Sequence, residues 1–220
     1  MNYKRTLILG YAILGLLIVS LSIYLGFEYL YGHNKWLGII IGVIFMIIGI
    51  IVYQFGKKYL FTFFLSFILN MIGVGLSITS YYVFKEYSLT LYEFSYAFII
   101  SLSLLIGFSL LTLINALNKH IKWFLAIIIV VSFITSLILW LSSDQFTGLS
   151  FYFLNVIYFF MVGIIQSSDS IKKLSKEMAF VSFGAFILIS LIVLIIISEG
   201  DALSGFDGVD INPRRKRKKS

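Results

Sequence analysis

Apolar residues run in blocks of about 20 along most of the chain, separated by short polar inserts such as HNK, GKK, KEYS, NKHIK, SSDQ and SSDSIKKLSKE. The blocks fall at 6–30, 36–55, 59–84, 94–117, 123–142, 149–166 and 178–198. As a helix, each is long enough to cross roughly 30 Å of hydrocarbon. The pattern predicts an all-α, polytopic transmembrane bundle of seven spans. The sixth block, LSFYFLNVIYFFMVGIIQ, is short and carries Asn155 and Gln166. As a re-entrant segment it would reduce the count to six.

Charge bears on the same question. With a cytoplasmic N-terminus, nine basic residues fall inside (Lys4, Arg5, Lys57, Lys58, Lys119, Lys122, Lys172, Lys173 and Lys176) against Lys35 and Lys85 in the outer loops. That bias agrees with the preference for lysine and arginine in cytoplasmic loops. Seven spans put the C-terminal run Arg214, Arg215, Lys216, Arg217, Lys218 and Lys219 outside, which brings the ratio to nine against eight. Six spans would give twelve against five. Hydropathy favours seven and charge favours six. The basic run begins 16 residues beyond Ser198, at the edge of the roughly 15–20 residue window in which charge steers insertion, so seven is the reading adopted.

Composition supports the membrane class. Of the 220 residues, 60% are hydrophobic and 12% charged, more apolar surface than a soluble core of this length could hide. Cysteine is absent, which removes disulfides, thiolate nucleophiles and cysteine metal sites. Residues 1–198 form one membrane domain, and residues 199–220 form a polar tail expected to lack fixed structure.

Candidate chemistry is sparse. Histidines 33 and 120 fall in turns on opposite sides and share no metal-ligand spacing, so neither a metal nor another cofactor is expected. Neither lies at the depth of a span serine, so a serine–histidine nucleophile has no basis. No phosphate-binding glycine loop occurs. The chain reads as a non-enzyme.

The most regular polar feature is in the third block, where Ser66, Asn70, Gly73, Ser77 and Ser80 recur at spacings of 4, 3, 4 and 3. Small, weakly polar residues on one helix face allow close approach and hydrogen bonding between helices, and the rival reading is a solute path. GIIIG at 38–42 suits close packing in the same way. A second set, Glu28, Tyr81, Tyr82, Glu86 and Glu93, gathers toward the outer face. It fits an interfacial aromatic belt, or a vestibule that takes a cation or a peptide.

The basic run lacks the interleaved aromatics that stack on nucleic-acid bases, so its expected targets are anionic lipid headgroups or wall polymers. The scarcity of reactive groups points to a non-catalytic protein of a bacterial cytoplasmic membrane, with its N-terminus inside. It would act through helix contacts with another membrane protein, as an accessory subunit or an immunity-type partner of a membrane-active toxin. The alternative is a small-solute transporter or its substrate-binding component.

Overall fold

The computed structural model describes residues 3–30, 34–56, 59–84 and 170–207, with scattered helical positions between 95 and 138. The block at 149–166 and the basic run at 214–219 lie outside the described residues, as do Glu86, Glu93 and both histidines. Among the described residues the fold is all-helical, without strands. Its four long helices are α1 (Tyr3–Leu30), α2 (Leu37–Phe55), α3 (Leu60–Phe84) and α4 (Ile171–Asp207). The segments Thr6–Leu30, Leu37–Phe55, Leu60–Phe84 and Ile171–Ser198 each have the length and apolar composition to cross a bilayer. The chain is thus built as a multi-pass membrane protein.

Local chemistry explains the helix ends. Ser170 caps α4: its Oγ accepts the Lys173 amide at 3.3 Å, and its carbonyl takes the Leu174 amide at 3.1 Å. The helix therefore starts about two turns before position 178, where hydropathy places the span. Lys172, Lys173 and Lys176 are exposed there while Leu174, Ser175 and Met178 are buried, so the first turns are amphipathic and their mean hydropathy hides the helix. At its other end α4 continues to Asp207, so residues 199–207 are helical where the sequence reading expects a coil. No proline interrupts the chain before Pro213.

Between α2 and α3 the chain turns back within a few residues. The Gly56 amide donates to the Val52 carbonyl at 3.0 Å and the Tyr59 amide to the Gly56 carbonyl at 2.9 Å. Thr62 Oγ1 then donates to the Tyr59 carbonyl at 2.7 Å, tying the turn to the first turn of α3.

Helix α3 is the hub. It packs on α1, α2 and α4, whereas α1 and α2 scarcely touch each other. Its partners reveal direction. Along α1, Gly15 faces Phe67 and Met71 while Gly26 faces Leu76 and Thr79, so residue numbers rise together and the two helices are parallel. Asn70 bonds to Ser182 and Ser77 to Ser190, so α4 also runs parallel to α3. Only α2 runs the other way, with Gly38 beside Ser80 and Gly49 beside Asn70. Helices α1, α3 and α4 therefore all begin at one end of the bundle, next to the basic pairs Lys4–Arg5, Lys57–Lys58 and Lys172–Lys173.

The distribution of polarity is inverted relative to a soluble protein. Asn70, Ser77 and Ser182 are at most 1% exposed, while Ile40 is 53% exposed and Leu191 52%. The outward faces of α1, α2 and α4 carry leucine and isoleucine such as Leu21, Ile44, Ile51, Leu188 and Ile195. Water would penalise such a surface, whereas lipid matches it. The interior in turn uses its few polar groups to join helices.

Candidate functional site

The stripe on α3 lies between two helices. Ser66, Asn70, Gly73, Ser77 and Ser80 are all buried. Toward α2, the stripe meets glycines. A Cβ at Gly42 would lie 2.9 Å from the Gly73 carbonyl oxygen and one at Gly49 would lie 2.7 Å from Asn70 Oδ1, while one at Gly38 would run into the Leu76 carbonyl and Ser80 Oγ. Backbones this close leave no room for side chains. The GIIIG segment therefore packs within the chain, against α3, by the small-residue mechanism of membrane helix contacts.

Toward α4 the stripe makes side-chain hydrogen bonds. Asn70 Nδ2 donates to Ser182 Oγ at 3.0 Å and to the Ala179 carbonyl at 3.4 Å. Ser182 is free to accept because its own hydroxyl donates to Ala179 at 2.7 Å. About two turns further on, Ser77 Oγ lies 3.0 Å from the Gly73 carbonyl and 2.8 Å from Ser190 Oγ. One hydroxyl carries one proton, so with Ser77 donating to the carbonyl, Ser190 donates to Ser77. Between these two polar contacts the ring of Phe186 fills the space over Gly73 and Gly42.

Ser80 works at the end of α2. Trp36 at the N-cap makes no side-chain cap bond, and the Ile39 amide in that first turn donates instead to Ser80 Oγ at 2.9 Å. A helix start leaves such amides without intrahelical partners, so α3 supplies from outside the cap that α2 lacks.

One polar atom in the stripe is unsatisfied: among the described residues Asn70 Oδ1 is buried and has no hydrogen-bond partner. Beside it lies a cavity of about 140 Å³, lined by Tyr53, Gln54, Ser66, Asn70, Phe180 and Phe183 among others. The cavity is the part of the stripe that could hold a small polar molecule.

The second predicted set is only partly described. Glu28 is exposed near the end of α1, whereas Tyr81 is 5% exposed and Tyr82 0%. Their rings meet edge to face with centroids 5.9 Å apart, so both belong to the packed core instead of an open rim. At the same end a cation–π contact forms within the chain, with Lys35 Nζ 4.9 Å from the centre of the Phe84 ring. Among the described residues no three His, Cys, Asp or Glu side chains gather as a metal site requires.

Sequence reasoning located the α3 face but not its partners. Ser175, Ala179, Ser182 and Ser190 are buried on one face of α4 at spacings of 4, 3 and 8, a small-residue pattern of the kind seen in α3. Ser175 accepts the Tyr11 hydroxyl at 3.0 Å, the polar link between α1 and α4. No known protein family, curated protein or solved structure matches the chain.

Proposed function

We propose that the protein is a seven-span component of a bacterial cytoplasmic membrane that acts through helix contacts with another membrane protein, as an accessory subunit or an immunity-type partner of a membrane-active toxin. The observation that carries this reading is the use of the polar stripe: Asn70, Ser77 and Ser80 each bond to another helix. The polar groups thus hold a rigid bundle whose outward faces are apolar and suited to a second membrane helix. Catalysis forms no part of the proposal.

The parallel course of α3 and α4 supports the odd span count. Residue 84 lies at one end of the bundle and residue 171 at the other, which is the arrangement that an odd number of crossings between them would require. Three apolar blocks lie between them, which fits seven spans if the block at 149–166 crosses. The gathering of basic residues where α1, α3 and α4 begin supports a cytoplasmic location for that end and for the N-terminus. The tail then lies outside, where its basic run meets anionic headgroups or wall polymers.

A solute-path reading is favoured by one observation, the unpartnered Asn70 Oδ1 beside its cavity. Two measurements separate the readings. A photo-crosslinking residue at Ile44, on the exposed face of α2, is expected to give one discrete adduct with a second membrane protein in cells. Protein sealed into liposomes is expected to leave solute flux at background. Flux that Asn70→Leu abolishes at unchanged thermal stability would establish the path instead.

A further inference from the structure

At the basic end of the bundle, α1, α3 and α4 diverge around a groove of about 340 Å³ whose walls include Gly10, Leu14, Leu60, Phe64, Ile171 and Ser175. Its interior is almost wholly apolar. Of the three hydroxyls on its walls, Tyr11 and Ser175 are already bonded to each other and Thr6 is exposed near the start of α1, so the groove beyond its mouth offers little to a polar solute and suits hydrocarbon. Gly10 is exposed, and a Cβ built there meets nothing within 4 Å, so this stretch of α1 leaves the space open.

The mouth differs from the interior in charge. Lys172 and Lys173, which open α4, directly follow the wall residue Ile171. Lys172 and Lys173 are exposed. The nearby acids in sequence are Asp169 and Glu177, which leaves an excess of positive charge. Hydrocarbon walls below a basic mouth complement one class of molecule, an acyl chain carrying an anionic headgroup.

We propose that the groove between α1, α3 and α4 binds one anionic phospholipid of the leaflet at the basic end, with an acyl chain along Gly10 and Phe64 and its phosphate among the lysines that open α4. The proposal rests on the membrane reading of the chain. It is independent of the C-terminal basic run, which belongs to residues 214–219.

The test measures phospholipid retained by full-length protein. The protein is purified in neutral detergent after incubation with phosphatidylglycerol or phosphatidylcholine, washed at high salt, and analysed by mass spectrometry. The salt wash releases lipid held only by surface charge, including any at the tail. Wild-type protein is expected to keep phosphatidylglycerol in preference to phosphatidylcholine. Gly10→Phe fills the groove from a position with free space, and is expected to lose retention of both lipids at an unchanged melting temperature. Should Gly10→Phe melt early, Gly10→Leu makes the same test with a smaller side chain. Lys172→Gln with Lys173→Gln is expected to weaken phosphatidylglycerol association about tenfold or more while sparing the neutral lipid. Equal retention of the two lipids by wild type, or undiminished retention in a folded Gly10 variant, overturns the proposal. A protein that leaves the membrane without detergent would instead overturn the membrane reading.

Discussion

Ser80 on α3 accepts the backbone amide of Ile39 in the first turn of α2 at 2.9 Å, so one helix caps another. Ser80→Ala leaves that buried amide without a partner. The expected cost is about 1–2 kcal/mol, in the range for loss of an N-cap, read as a lower melting temperature in detergent. Ser80→Thr keeps the hydroxyl and should retain more of the stability.

The glycines divide into two classes. Gly38→Val drives a side chain into the Leu76 carbonyl, a backbone atom that cannot rotate away, and is expected to cost at least about 1–3 kcal/mol by forcing α2 off α3. Gly184 has open space where its Cβ would be, so Gly184→Ala should be neutral or stabilising by up to about 1 kcal/mol. Thermal unfolding of the two variants side by side checks the contrast. A Gly38→Val protein as stable as Gly184→Ala would mean that α2 does not lie against α3.

Asn70→Leu removes two hydrogen bonds to α4 and also the unpartnered Oδ1. Membrane hydrogen bonds contribute about 0.6 kcal/mol each on average, so a modest loss near 1 kcal/mol is expected, with membrane localisation intact. A double-mutant cycle with Ser182→Ala isolates the pair. Full additivity of the two single changes would show that Asn70 and Ser182 do not interact.

The first three helices were legible in the sequence almost to the residue, because His33–Lys35 and Gly56–Lys58 break hydropathy sharply between them. The start of α4 was not. Its lysines lie on the exposed side of an amphipathic opening, and an average over the window cannot separate the two faces of a helix. The α3 stripe was readable from its 4–3–4–3 spacing, since one face of a helix repeats that way. Its partners were not, because Ser182 and Ser190 are 112 and 113 residues from theirs and nothing local encodes such a pairing. The cap that Ser80 gives α2 was hidden for the same reason.

The tail prediction concerns residues 214–219. A peptide ending RRKRKKS should associate with anionic vesicles at low salt, release as salt rises, and ignore neutral vesicles, because attraction of exposed charges is screened within roughly 8 Å at physiological ionic strength. An epitope fused after Ser220 should be removed by protease added to intact spheroplasts. Survival of the epitope until the membrane is permeabilised would put the tail inside.

The parallel course of α3 and α4 is the central claim, since the proposed odd span count and the proposed outer position of the tail both depend on it. The chain has no cysteine, so paired cysteines can be introduced without a background. Ser77 Oγ and Ser190 Oγ are 2.8 Å apart, and a cysteine sulfur takes the place of each, so that pair is the closer one; a sulfur at 70 stands one bond short of Asn70 Nδ2, which is 3.0 Å from Ser182 Oγ, so that pair is the looser one. Mild oxidation in membranes should therefore crosslink Ser77→Cys with Ser190→Cys and Asn70→Cys with Ser182→Cys. The exchanged pairs, Asn70→Cys with Ser190→Cys and Ser77→Cys with Ser182→Cys, are separated by about two turns along the bundle and should stay reduced. Crosslinking of the exchanged pairs while the in-register pairs remain open would make α3 and α4 antiparallel and contradict the account.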